Sequence, residues 1–220
     1  MSRFVRCATS RWCGGELARP RAHRRIAADP TLVTPQPTLR TVRLILRPFC
    51  LEDAATVQRL AGTRDVAETT LTIPHPYLDG MAETWIATHP DGWERQERVT
   101  FAITSAADGV VGAIGLRLTL QHRRAELGYW VGRPFWNRGY ATEAARAILT
   151  FGFEALCLNR IHASHMVRNP ASGRVMVKAG MRFEGMLRQH VLKAGRAEDL
   201  AEYAILRADV LVEGSPRISA

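Results

Sequence analysis

Lysine, long apolar runs and clustered cysteines are all scarce in this sequence of 220 residues. Lys178 and Lys193 are the only lysines, so arginine carries nearly all of the positive charge. No stretch approaches the 18 or so uninterrupted apolar residues of a transmembrane helix, so we predict no membrane span. The N-terminal segment also lacks the apolar run of a secretory signal, and we therefore expect a cytoplasmic protein.

The four cysteines are too dispersed to form a recognisable framework. Cys7, Cys13, Cys50 and Cys157 stand far apart, and no histidine pair lies near them at zinc-site spacing. We therefore predict neither a disulfide scaffold nor a bound metal. His162 and His165 do not change this expectation, because residues three apart on a strand face opposite sides.

The net charge of +9 is unevenly distributed. Residues 1–37 contain seven arginines against Glu16 and Asp29, which gives this segment five net positive charges. The segment shows no sustained hydrophobic periodicity, so we interpret 1–37 as a disordered basic extension. A transit peptide and a misassigned start codon are the alternatives. No nucleic-acid-binding motif is present, and we expect no nucleic-acid partner.

The pattern from residue 38 to residue 210 predicts one mixed α/β domain, followed by a short tail at 211–220. Alternation of apolar and polar residues predicts strands, and a period near 3.6 predicts helices. The short turns between the three central strands are typical of an antiparallel meander. The predicted strands are 39–47, 98–104, 110–120, 125–131, 160–167, 183–192 and 198–206, and the predicted helices are 52–62, 79–88, 140–156 and 170–179.

The segment 126–144 carries the most chemical information. It is predicted to run from a strand through a short loop into a helix that begins just after Gly139. The start of a helix offers unpaired backbone N–H groups and about half a positive charge, which suits an anion such as pyrophosphate. Judged on the glycine alone, a plain strand-to-helix connection is the alternative. The Walker and dinucleotide-binding glycine motifs are both absent, which argues against nucleotide hydrolysis and dinucleotide binding.

Two blocks of sequence resemble the GNAT superfamily of N-acetyltransferases, in the branch similar to ribosomal-protein N-terminal acetyltransferases (RimJ/RimL-like). Trp136–Ala141 is similar to that family's pyrophosphate loop, Gln/Arg-x-x-Gly-x-Gly/Ala. The block Asn169–Gly185 resembles the branch's Asn-x-x-Ser…Lys-x-Gly-Phe…Glu-Gly pattern. Trp136, Asn137 and Met181 depart from the family pattern. The resemblance extends from about Leu39 to Asp209.

The resemblance implies a central, mostly antiparallel twisted sheet flanked by helices. The sheet is expected to splay between the strand that ends near Val131 and the strand that starts at Arg160, with acetyl-coenzyme A (acetyl-CoA) in the gap. The main chain near Tyr129–Val131 is expected to act as an oxyanion hole. Arg133 and Arg138 are expected either to pair with phosphate or to be solvated surface residues. The expected cofactor-binding residues are Tyr129, Trp130, Val131, Arg133, Asn137, Arg138, Gly139, Tyr140, Ala141, Thr142, Asn169 and Ser172.

The implied activity is transfer of an acetyl group from acetyl-CoA to a primary amine, with the N-terminal α-amine of a protein or peptide as the favoured acceptor. Glu126 is the predicted general base, with a solvent-facing strand carboxylate as the alternative, and Glu68 is a weaker candidate. Met176 occupies the position of the family's catalytic tyrosine, so Ser172 is the predicted substitute for the acid, with helix packing or capping as its alternative. A small-molecule amine acceptor and a non-catalytic acyl-CoA-binding protein are the alternatives, and both a monomer and a homodimer fit the sequence.

Overall fold

The computed structural model describes residues 35–213, and the domain body begins at Gln36. Most of the predicted basic extension and the residues from 214 onward lie outside this range. No helix within the described residues combines the length and apolarity needed to cross a membrane.

Eight strands form one sheet with the order β1-β2-β3-β4-β5-β6-β8-β7. Every neighbouring pair is antiparallel except β5 and β6, which are parallel. The mostly antiparallel sheet expected from the sequence is thus confirmed. The strands are β1 (Leu39–Arg40), β2 (Leu44–Arg47), β3 (Arg98–Ser105), β4 (Gly109–Thr119), β5 (Arg124–Val131), β6 (Arg160–Met166), β7 (Arg182–Lys193) and β8 (Arg196–Leu206).

Helices cover both faces of this sheet. A parallel neighbour requires a crossover connection, and α5 supplies it between β5 and β6. The helices are α1 (Ala54–Ala61), α2 (Arg64–Thr69), α3 (Met81–Ala87), α4 (His89–Glu94), α5 (Tyr140–Glu154), α6 (Pro170–Lys178) and α7 (Arg207–Glu213).

The two faces of β5 belong to two different hydrophobic cores, because successive side chains point to opposite sides of a strand. Leu127 and Val131 pack into the larger core, which contains Ile148 of α5. Trp130 packs into a smaller core with Leu60 of α1 and Ile86 of α3. We call these the cofactor face and the acceptor face of the sheet.

The pairing of β5 with β6 covers only three residues on each strand. Arg124, Ala125 and Glu126 pair with Arg160, Ile161 and His162, and no later residue of β5 has a partner on β6. The two strands therefore diverge toward their carboxyl ends, which confirms the splayed sheet. We call this divergence the fork, and its apex lies between Glu126 and His162.

Several elements differ from the sequence-based predictions. The predicted strand 39–47 is interrupted, because Thr41 Oγ1 accepts a hydrogen bond from Leu44 N and turns the chain between β1 and β2. Helices α2 and α4 are short and were not predicted. The unpredicted helix α7 crosses the expected domain end at residue 210. At the other end, Gln36 Nε2 donates to Thr100 O at 2.8 Å, so domain contacts begin before residue 38.

Candidate active site

The loop between β5 and α5 exposes a row of backbone donors. Asn137 and Gly139 have φ values of 62° and 79°, in the left-handed region that suits glycine and is tolerated by asparagine. Gly139 is the N-cap of α5 and supplies no side-chain cap. Among the described residues, no acceptor is hydrogen-bonded to the N–H groups of 137–142. These free donors fit the pyrophosphate of acetyl-CoA, which would occupy a helix N-terminus.

Glu143, in the first turn of α5, fastens this loop to the turn between β1 and β2. Its Oε1 accepts from Thr41 Oγ1 at 2.7 Å and from Arg43 N at 2.8 Å, and its Oε2 accepts from Arg43 Nε at 2.7 Å. Burial opposes ionisation, but these hydrogen bonds lower the pKa of Glu143. Arg43 Nη1 also donates to Arg138 O at 3.0 Å. Neither Arg43 nor Glu143 was predicted, although Glu143 lies within the segment 126–144.

The two predicted phosphate-binding arginines already have partners. Arg133 forms an ion pair with Asp65, and its guanidinium lies 5.6 Å from the ring centroid of Trp136. Arg138 lies 3.8 Å from Asp108. Both side chains remain about half exposed, so contact with phosphate stays a prediction. Trp136 Nε1 donates to Val131 O at 2.6 Å and closes the loop onto the end of β5.

The open edge of β5 directs alternate main-chain groups into the fork. Gly132 N donates to Val111 O in β4, so the alternation of a strand turns the N–H groups of Tyr129 and Val131 away from β4. Trp130, in contrast, directs its main chain toward β4 and is only 9% exposed within the acceptor-face core. The main chain of Trp130 therefore faces β4 and not the fork, and its contact with the cofactor stays a prediction, as do those of Tyr129 and Val131.

Tyr129 and Ser172 form a partly buried pair on the cofactor face of the fork. The Tyr129 hydroxyl lies 2.8 Å from Ser172 Oγ and donates to Ser172 O at 3.0 Å. Burial raises the pKa of Tyr129 to about 12, so the phenol stays protonated at neutral pH. Asn169 caps α6 by accepting from Ser172 N and donates to Thr69 O at 3.3 Å. Its predicted contact with the pantetheine arm would compete with these bonds.

Charged side chains line the acceptor face at the apex of the fork. Glu126 shares this face with Trp130, is 44% exposed and lies 3.8 Å from Arg117 Nη1. Its register partner His162 is bonded through Nδ1 to Glu202 Oε1 at 2.8 Å. His162 was considered in the sequence only as a metal ligand. Glu68 pairs with Arg64 four residues earlier on α2, and no described contact links it to the fork.

The β7–β8 hairpin is joined to the loop that follows α2. Lys193 Nζ donates to Leu71 O at 3.2 Å and to Ile73 O at 2.8 Å. Burial lowers the pKa of Lys193, and the nearby Arg168 lowers it further. These bonds fasten the hairpin to that loop.

The fork, the free donors of the loop and the charged apex occur within a stretch that a known family model matches. Residues 43–182 match the acetyltransferase (GNAT) domain. The chain belongs to the GNAT acetyltransferase family. Members of this family are acetyl-CoA-dependent acyltransferases, and this chain is an N-acetyltransferase.

Relatives and solved structures agree with this assignment. The chain is 32% identical to the uncharacterized N-acetyltransferase YoaA of Bacillus subtilis, over 78% of this chain and 97% of that protein. It is 33% identical to the putative ribosomal N-acetyltransferase YdaF of the same organism, over 58% and 72% of the two chains. A GNAT-family acetyltransferase from Bacillus anthracis superposes with a TM-score of 0.70 at 26% identity, over 78% of this chain and 99% of that one.

Proposed function

We propose that this GNAT enzyme transfers the acetyl group of acetyl-CoA to the N-terminal α-amine of a protein or peptide. The observation that carries the choice of acceptor is the charge balance around the fork. Glu126 lies near Arg117, Glu184 pairs with Arg160, and Glu202 pairs with His162. A site whose carboxylates already have basic partners suits an amine with one charge better than a polyamine. The relative YdaF, named a putative ribosomal N-acetyltransferase, is consistent with a protein acceptor.

The chemistry of the α-amine also fits this site. An α-amino group has a pKa of about 7.7–8.0, whereas a lysine amine lies near 10.4. A substantial fraction of an α-amine is therefore already neutral near pH 7.5, so a weak base such as a carboxylate can assist it. We assign that role to Glu126, acting directly or through a water molecule.

In this proposal, the groups on the two faces of the fork have different roles in the reaction. Acetyl-CoA supplies an activated thioester as the acetyl donor. The N–H groups of Tyr129 and Val131 stabilise the carbonyl oxygen as it gains charge. The N–H groups of 137–142 hold the pyrophosphate. Ser172, backed by the Tyr129 hydroxyl, supplies a proton to the departing thiolate.

The decisive experiment is a thiol-release assay with acetyl-CoA and a matched panel of acceptors. The panel contains peptides with free N-termini, the same peptides with blocked N-termini and a free lysine, and small amines including polyamines. We expect release only with the free N-termini, and mass spectrometry should place the acetyl group on the α-nitrogen. Turnover confined to polyamines or other small amines would overturn the proposed acceptor. Tight acetyl-CoA binding without turnover of any amine would indicate a non-catalytic binder.

A further inference from the structure

A histidine–carboxylate pair stands directly beside Glu126 at the apex of the fork. His162 is the β6 residue registered with Glu126, and registered residues of neighbouring strands place their side chains on the same face. Adjacent strands are about 4.8 Å apart, so both side chains reach the same small region. This region is on the acceptor face, where an incoming amine meets the fork.

Glu202 fixes the chemical state of the imidazole. Its Oε1 lies 2.8 Å from His162 Nδ1, and both side chains are about three-quarters buried. A carboxylate at Nδ1 holds the proton on that nitrogen and leaves the lone pair on Nε2. Within residues 35–213, Glu202 is the only hydrogen-bond partner of His162. Nε2 is therefore free to accept a proton, and Glu202 stabilises the imidazolium that results.

The other charges near His162 come from its own strand and from four others. Arg160 lies on the same strand and pairs with Glu184 of β7, whose carboxylate is close enough to interact with His162. Glu126 lies on β5 near Arg117 of β4. Glu202 belongs to β8 and also helps to raise the pKa of Arg160. Arg160 and Arg117 each have another carboxylate nearby, and the hydrogen bond of Glu202 goes to the imidazole.

We propose that His162, aligned by Glu202, is a second proton acceptor that works beside Glu126 in acetyl transfer. An ammonium acceptor must lose two protons. Glu126 draws the first, which leaves a neutral amine. His162 Nε2 takes the second as the C–N bond forms and the C–S bond breaks. The thiolate takes one proton through Ser172, both bases return theirs to water, and each turnover releases one proton overall. This inference rests on the N-acetyltransferase function and assigns the residues of the same site.

The two bases are distinguished by different pH trends. We expect His162→Gln to keep a hydrogen bond to Glu202 but to lower kcat by about 10², the lower range for general base assistance. The loss should persist from pH 6 to pH 9, because an amine that is already neutral still has a proton to lose as the C–N bond forms. Glu126→Gln should show a loss that shrinks over the same range. Glu202→Gln should also lower kcat, because His162 Nδ1 loses the carboxylate that orients the imidazole.

A second measurement does not depend on turnover. ¹⁵N-histidine NMR of the full chain should show His162 with its proton on Nδ1, and Glu202→Gln should disturb that state. The exposed His122→Gln variant is the matched control for kcat and for signal assignment. A proton on Nε2, or a His162→Gln variant with wild-type kcat at every pH, would overturn the inference. A wild-type protein that acetylates no amine would instead refute the proposed function, and the NMR result would still decide the state of His162.

Discussion

The two faces of the sheet at the fork are built from different kinds of groups. The cofactor face presents main-chain donors at 137–142 and the partly buried Tyr129–Ser172 pair. The acceptor face presents partly exposed acidic, basic and histidine side chains, of which Glu126 and His162 lie at the apex. A site formed by main-chain groups depends on the path of the backbone, whereas a site formed by side chains depends on which residues are present.

This difference explains which departures from the family pattern the chain tolerates. Trp136 and Asn137 replace common residues in the pyrophosphate loop, yet the loop retains its left-handed turns at Asn137 and Gly139. Every residue supplies an N–H except proline, so these replacements leave the main-chain donors in place. On the acceptor face, a change as small as Glu126 to Gln would remove the proposed basic group.

The largest effect should come from blocking the backbone site. We expect Gly139→Trp to weaken acetyl-CoA binding at least about 100-fold, or ~2.7 kcal/mol, by calorimetry. The residue has φ 79°, and an added Cβ would meet Arg43 Nη2 at 3.3 Å. Gly80→Trp is the matched control, since Gly80 also precedes a helix with φ 79° but has no atom within 4 Å of its Cβ position. Equal affinities for the two variants would remove the loop from the cofactor site.

The next largest effect should be on the acceptor face. Glu126→Gln should lower kcat by about 10² at pH 7, with a smaller loss at pH 9 where the α-amine is neutral without help. The dissociation constant for acetyl-CoA should not change. Glu68→Gln, the same substitution on α2, should behave as wild type in both assays. A loss of kcat in Glu68→Gln, with wild-type kcat in Glu126→Gln, would transfer the role of general base to Glu68.

A smaller effect is expected from the hydroxyl pair of Tyr129 and Ser172 on the cofactor face. Tyr129→Phe and Ser172→Ala should each reduce kcat by about tenfold or less, because a thiol with a pKa near 8.5 leaves readily as the thiolate. Since the two hydroxyls are bonded to each other, we expect the double variant to lose less than the product of the single losses. Fully independent losses in steady-state kinetics would show that the hydroxyls do not act together.

The smallest effect on turnover, but a measurable one on stability, should come from His89. This histidine is 5% exposed beside Phe49 and Trp85, which pack against the acceptor-face core, and neither ring nitrogen has a hydrogen-bond partner within 35–213. Burial, with a smaller contribution from Arg98, lowers the pKa of His89 from 6.5 to about 4. The unfolded chain therefore binds the proton first, and stability falls as pH drops from 6.5 to 4.

We expect this effect to cost roughly 3 kcal/mol across the window, measured as the free energy of unfolding in urea. His89→Leu should flatten the dependence, and the exposed His122→Gln control should keep the wild-type slope. Parallel curves for wild type and His89→Leu would mean that other groups set the acid sensitivity.

The sequence predicted the central strands, the helix between β5 and β6 and the loop that precedes this helix, because each has a local signal. Period-two alternation marked β3, β4 and β5, and Gly139 marked the start of α5. The short helices α2 and α4 have no such signal, since six residues cannot show a clear period of 3.6. The pairing of His162 with Glu202 could not be predicted from the sequence, because 40 positions separate the two residues and only strand register brings them together.

The hydrogen bonds that join Glu143 to the turn between β1 and β2 have a consequence for how the chain folds. Its bonds to Thr41 and Arg43 join residues about 100 positions apart. During synthesis, the turn that follows β1 can therefore form its hydrogen bonds with Glu143 only after α5 has been synthesised. Contacts of such long separation close late and slow folding. We therefore expect the loop between β5 and α5 to be completed only after β3, β4 and β5 have formed their meander. Acetyl-CoA would then bind only those molecules in which the turn between β1 and β2 already contacts α5.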